Sequence, residues 1–175
     1  MKFRSATTLL LSTLVIINTA NAEPAPELKW DAMIPDDFRP EKIMSQFGDI
    51  SQFDDDDPRA QKILKELEAL WKEAPVVESL DGKRVRLPGF VVPIESDGEK
   101  LREFLLVPYY GACIHVPPPP ANQTVYVKVA EGDAKIRRAF DTVWVTGVLS
   151  AQSFDSDLAT AGYRIQAEEV APYEE

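Results

Sequence analysis

A chain of 175 residues is long enough for one domain with a substantial core. Its formal net charge of −10 argues against binding nucleic acid or anionic lipid, both of which require a cationic face. A single cysteine excludes a disulfide scaffold within the chain, and a single histidine limits metal and acid–base chemistry to few places.

Residues 1–22, MKFRSATTLLLSTLVIINTANA, read as a signal peptide removed on export. Lys2 and Arg4 form the positive n-region, Thr8 to Ile17 the apolar core, and Ala20-Asn21-Ala22 the small-x-small cleavage pattern. The apolar run is shorter than the roughly 20 residues of a bilayer span. No cysteine near the cleavage point offers a lipid attachment, and nothing after residue 22 resembles a transmembrane segment. The mature chain is therefore expected to be soluble and exported, periplasmic or secreted, with no membrane insertion. Loss of Lys2 and Arg4 makes it more acidic still.

Residues 23–75 read as an N-terminal arm and helix. Glu23 to Glu27 is expected to be a flexible exit from the cleavage site. Leu28 to Phe53 carries scattered anchors such as Trp30, Met33 and Phe47 among prolines, which suits an irregular arm with one short helix. Asp54 to Asp57 tempts a calcium reading, but the glycine and distal glutamate of a loop site are missing. A helix start fits better: Asp57 as N-cap, Pro58 at the first helical position, and acidic residues at the positive end of the dipole. Ile63, Leu64, Leu67, Leu70 and Trp71 then trace one amphipathic stripe, which Pro75 stops.

Residues 76–175 read as a β-rich domain. KRVRLPGFVVPI alternates at Val85 and Leu87, then at Phe90, Val92 and Ile94, with Pro88-Gly89 marking a bulge or a sharp bend. LREFLLVPYYGACIH is a buried strand that breaks at Pro108. QTVYVKV places Val125, Val127 and Val129 on one face, and DTVWVTGVLSAQ places Val143, Val145, Gly147 and Leu149 on one face. GYRIQAEEVAPY closes the chain after FDSDLATA, which is expected to form a helical turn. Five strands with glycines at the bends predict a mainly β fold: a small antiparallel five-stranded OB-like barrel with one N-terminal amphipathic helix. The alternative is an α+β open sheet packed on the helix.

Cys113 and His115 stand two residues apart, before Pro117 to Pro120. In an extended segment both point to one face, with β-carbons roughly 6.5–7 Å apart. A zinc-like ion at about 2.3 Å from sulfur and 2.1 Å from nitrogen can be spanned by such a pair. The remaining ligands would be a carboxylate, a carbonyl or water. Two other readings stay open. His115 could lower the pKa of Cys113 for nucleophilic catalysis, with Asn122 or Gln123 orienting the ring, although no local protease signature is present. Both residues could equally be structural, since free cysteine packs as a small apolar group. The prolines suit a stiff polyproline II rod that fixes a strand end or docks a partner. Tyr109, Tyr110 and Trp144 are candidate pocket-lining residues or core, and Asn122-Gln123-Thr124 matches a glycosylation acceptor.

VRLPGFVVPIE, FLLVPYYGACIHVPPPPANQTVYV and VTGVL together resemble a bacterial family of exported proteins, domain of unknown function 3299 (DUF3299), over roughly Val76 to Tyr173. The run from Gly111 to Gln123 carries the family motif without departure. The resemblance implies an exported, periplasmic domain with no established reaction. It also implies frequent encoding beside ABC-transporter components, some in zinc-responsive clusters. The expectation is a non-enzymatic accessory domain. Cys113 and His115 would bind a transition metal, Zn2+ in the first instance, with a transporter component as partner. Tyr109, Tyr110, Asn122 and Gln123 are the further binding candidates.

Overall fold

The computed structural model describes residues 23–48, 53, 57–96, 101–111, 118–129 and 139–173. Two helices, α1 (Pro40–Gln46) and α2 (Pro58–Lys72), precede seven strands: β1 (Arg84–Ser96), β2 (Leu101–Val107), β3 (Val125–Val129), β4 (Thr142–Ser150), β5 (Phe154–Asp155), β6 (Thr160–Ala161) and β7 (Tyr163–Pro172). Five of them close into a barrel in the order β1-β2-β3-β7-β4, with β4 returning to β1. The closed five-stranded barrel expected from the strand pattern is therefore present, and the open sheet is not.

One pairing departs from the antiparallel expectation. β3 and β7 run parallel, Val125 opposite Tyr163 through Val129 opposite Ala167, while every other barrel pairing is antiparallel. Parity is the reason. Strand direction cannot alternate all the way round a closed ring of five, so one neighbouring pair must match.

Alternation along each strand fills the interior with small branched side chains. Val85, Leu87 and Val91 of β1 meet Phe104 and Leu106 of β2, Val125 and Val127 of β3, Val145 and Leu149 of β4, and Ile165 of β7. Each such burial contributes about 1.5–3 kcal/mol. Pro88-Gly89 is not a bulge: the β1–β4 register runs unbroken from Arg84 opposite Val148 to Phe90 opposite Thr142. At Phe90 the strand acquires β2 as a neighbour. The apolar pattern changes phase there because the outer face is also covered from that point. Phe90, Val92 and Ile94 join a second cluster outside the barrel with Leu105, Val107, Tyr126 and Phe154. The bulges lie elsewhere, one of them at Thr146/Gly147 against β7. A β-carbon on Gly147 would lie 2.8 Å from Ile165 Cγ2 and collide with the Gln166 carbonyl, so glycine lets the two strands approach there.

The arm is more ordered than a flexible exit. Leu28 N–H donates to the Arg86 carbonyl at 2.9 Å, and Arg86 N–H donates to the Pro26 carbonyl at 2.9 Å. These bonds occupy the edge of β1 that β2 has not yet reached. A 3-10 turn, Trp30–Met33, then places Met33 in the core, and the Trp30 indole N–H donates to the Pro88 carbonyl at 2.7 Å. The short helix expected in the arm is α1.

Helix α2 starts as the capping pattern predicts. The Asp57 carboxylate accepts the Arg59 amide at 2.8 Å, with Pro58 first in the helix. The stripe is narrower than the sequence suggests: Leu67 is fully buried, Ile63, Leu64 and Trp71 are half-buried, and Leu70 is 44% exposed. Residues 154–161 form a hairpin, β5–β6, rather than a helical turn. Ser156 decides this by taking the Leu158 and Ala159 amides on its hydroxyl while its own N–H bonds the Ala159 carbonyl, an ST-type turn that competes with helix. Among the described residues no helix is long and apolar enough to cross a membrane. The signal-peptide reading of 1–22 and the acidic run 54–56 lie outside the described residues.

Candidate functional site

The connection from β2 to β3 carries the motif, and its two ends are anchored on the barrel by different means. β2 stops at Val107, where Pro108 breaks the strand as expected. Tyr110 follows, 71% exposed, its ring edge-on to Phe90 at 6.0 Å and tilted against Phe140 at 5.4 Å. Tyr109 is 46% exposed. Neither tyrosine belongs to the core. Gly111 then turns the chain at φ +80°, a left-handed conformation in which a side chain is strained. Cys113, His115 and Pro117 lie outside the described residues.

At the far end the proline run packs inward. Pro118 is half-buried, Pro119 and Pro120 are buried, and Pro120 has polyproline II angles of φ −52° and ψ 149°. Pro120 offers its carbonyl to the Gln123 amide at 2.7 Å and to the Thr124 hydroxyl at 3.3 Å, which winds Ala121–Gln123 into one 3-10 turn. That turn clamps the arm. Asn122 is fully buried and its side-chain amide donates to the Pro75 carbonyl at 2.9 Å. Gln123 donates to the Trp30 carbonyl at 3.0 Å and to the Asn122 carbonyl at 3.2 Å. The Asn122 amide is thus engaged below the surface, which closes the glycosylation sequence in the folded chain. Its side-chain oxygen is buried with no hydrogen-bond partner.

Tyr163 completes the clamp and is not marked by the sequence. Its buried hydroxyl accepts the Val77 amide at 2.6 Å and donates to the Met33 carbonyl at 2.8 Å. Burial pushes its pKa up from the usual tyrosine value, opposed by the Val77 hydrogen bond and reinforced by nearby Glu78. The signal that could have found it is the tyrosine after Gly162, alone among small and branched residues at the start of a strand. Trp144, considered with the tyrosines, sits in a separate group: Arg86 lies over its ring at 4.0 Å and Tyr173 stacks on it at 5.2 Å.

The site is therefore an anchored connection. An exposed aromatic pair supports one end and a buried amide clamp the other, with the thiol–imidazole pair in the six residues between Gly111 and Pro118. Among the described residues no group of three or more His, Cys, Asp and Glu side chains is gathered for a metal.

Comparison with known proteins follows the same lines. The family described as "Protein of unknown function (DUF3299)" matches residues 30–172 and so reaches upstream of the barrel into the arm and α2. The crystal structure of a DUF3299 family protein from Pseudomonas aeruginosa PAO1 is 42% identical, with a TM-score of 0.62. The match covers 87% of this chain and 99% of that one. A chain of OBody AM2EP06 bound to hen egg-white lysozyme gives a TM-score of 0.34 at 18% identity, covering 60% of this chain and 91% of that one. That likeness is too low to bear on fold or function. No curated protein matches the chain. With its barrel and motif inside the matched span, the chain belongs to the DUF3299 family.

Proposed function

We propose that the chain is an exported, periplasmic, non-enzymatic accessory domain whose Cys113-x-His115 segment binds a transition-metal ion, Zn2+ first among them, beside a membrane transporter component. One observation carries the reading: the only thiol and the only imidazole fall in a six-residue span whose flanks are held by unrelated contacts, one to a barrel strand and the other to the arm and the segment after α2. A span fixed at both ends loses less entropy on closing around an ion than a free loop does. The soft sulfur and borderline nitrogen suit zinc, with carboxylate, carbonyl or water completing the shell.

The test is competition titration of the purified mature chain with Zn2+ against a chromogenic chelator. Wild type is expected to take up about one ion per chain, and Cys113→Ala and His115→Ala to lose most of that affinity. Equal affinity in all three proteins removes the site. Recovery of a periplasmic form beginning at Glu23 checks the export half of the proposal, and a cytoplasmic chain still carrying residues 1–22 refutes it.

Exposure of Tyr109 and Tyr110 favours a second reading, a protein-interaction module built on the same connection. Tyrosines with this much accessible ring are enriched where proteins meet. Tyr110→Ser abolishing transporter association while leaving zinc uptake intact would select this reading over the metal one.

A further inference from the structure

We propose that the groove between α2 and the β5–β6 hairpin is a docking site for an extended basic peptide segment of a partner protein. This goes beyond the metal reading and does not depend on it. The groove encloses about 330 Å³, with a floor built from Trp71, Pro118, Pro119, Leu158 and Ala159. It adjoins a second cavity of about 410 Å³ at Lys72 and Thr160. Together they give a trough of the size that ligand sites occupy.

Two observations define the occupant. The rim is acidic: Glu68 and Asp157 border the first cavity, Glu73 and Glu78 the second, and all four are exposed. Lys72, the cation both cavities share, already faces Asp155 at 3.7 Å. The rim therefore attracts positive charge and repels an acidic chain. The second observation is an apolar floor within reach of solvent: Leu158 is 41% exposed, in a floor it shares with Pro118 and Pro119. An extended peptide suits both parts, with basic side chains for the carboxylates and apolar side chains for the proline and leucine floor. A polyamine supplies the charge but no apolar side chain.

The experiment uses the full mature chain with EDTA present, so that its outcome is separate from metal binding. A fluorescein-labelled ten-residue peptide of alternating Lys and Val is titrated by fluorescence anisotropy, with a Glu/Val peptide of equal length as control. Saturable one-to-one binding of the Lys/Val peptide is expected. The double variant Glu68→Gln/Asp157→Asn, both surface changes, should weaken it about tenfold. Leu158→Ser should weaken it several-fold while leaving the thermal unfolding midpoint near that of wild type. Equal binding of the two peptides, an unchanged Kd in the charge variant, or displacement by spermidine as effective as by unlabelled Lys/Val peptide would each overturn the proposal.

Discussion

Tyr163 shows what a single hydroxyl does at the start of β7. It joins the segment after α2 to the arm before α1 through one donated and one accepted bond. Tyr163→Phe keeps the ring and strands the Val77 amide and the Met33 carbonyl, so a loss of about 1–3 kcal/mol is expected in urea unfolding. The same residue sets an alkaline limit. Because the folded pKa is raised, the folded state holds the proton more tightly than the unfolded chain does. The contribution is whole below the unfolded value, about 10, and is lost as pH rises through the folded value. Between those two values wild type should lose stability with rising pH more steeply than Tyr163→Phe does, and parallel curves for the two proteins would contradict the assignment. Asn122 and Gln123 were legible as special but not as to their partners. Their side chains hold backbone carbonyls 47 and 93 residues away, and short-range patterning carries no information about such distances.

At the level of elements, the local signals held wherever the chemistry is local. Asp57-Pro58 starts α2, Pro108 ends β2, and the alternating valines of β3 and β4 face inward. Failures came where a neighbour distant in sequence decides. From Phe90 β1 is apolar on its outer face as well as its inner one because β2 arrives there, which no window of β1 can show. Residues 154–161 carry a weak helical pattern that one serine hydroxyl redirects into a hairpin. The stripe of α2 offers five apolar residues, and one of them, Leu67, is fully buried. A graded response follows. Leu67→Ala should cost about 2–5 kcal/mol, whereas Leu70→Ala should stay within about 0.5 kcal/mol of wild type. Comparable losses in the two variants, read by thermal or urea melts, would mean that α2 packs differently from the arrangement described.

For the whole molecule, five strands were readable and their closure was a sound expectation, while the mixed direction of one pair was missed. Strand count alone requires it once the ring is closed. The arm is part of the folded unit: Trp30 reaches the Pro88 carbonyl and Gln123 reaches back to Trp30. Removing residues 23–34 should uncover Leu80 and the barrel interior that Met33 now seals. A lower melting midpoint and new binding of the dye ANS are expected. An unchanged midpoint would show that the barrel is complete without the arm.

The parallel seam has a consequence for how the chain comes into being. β7 bridges β3 and β4, so the last barrel strand in chain order fits between two edges that precede it. Until that stretch arrives, both edges stand open with nothing to pair them, and the cylinder is a curled sheet. A nascent chain halted before Tyr163 therefore has no finished half to fall back on, and its fate rests with whatever holds unpaired strands apart until β7 is made.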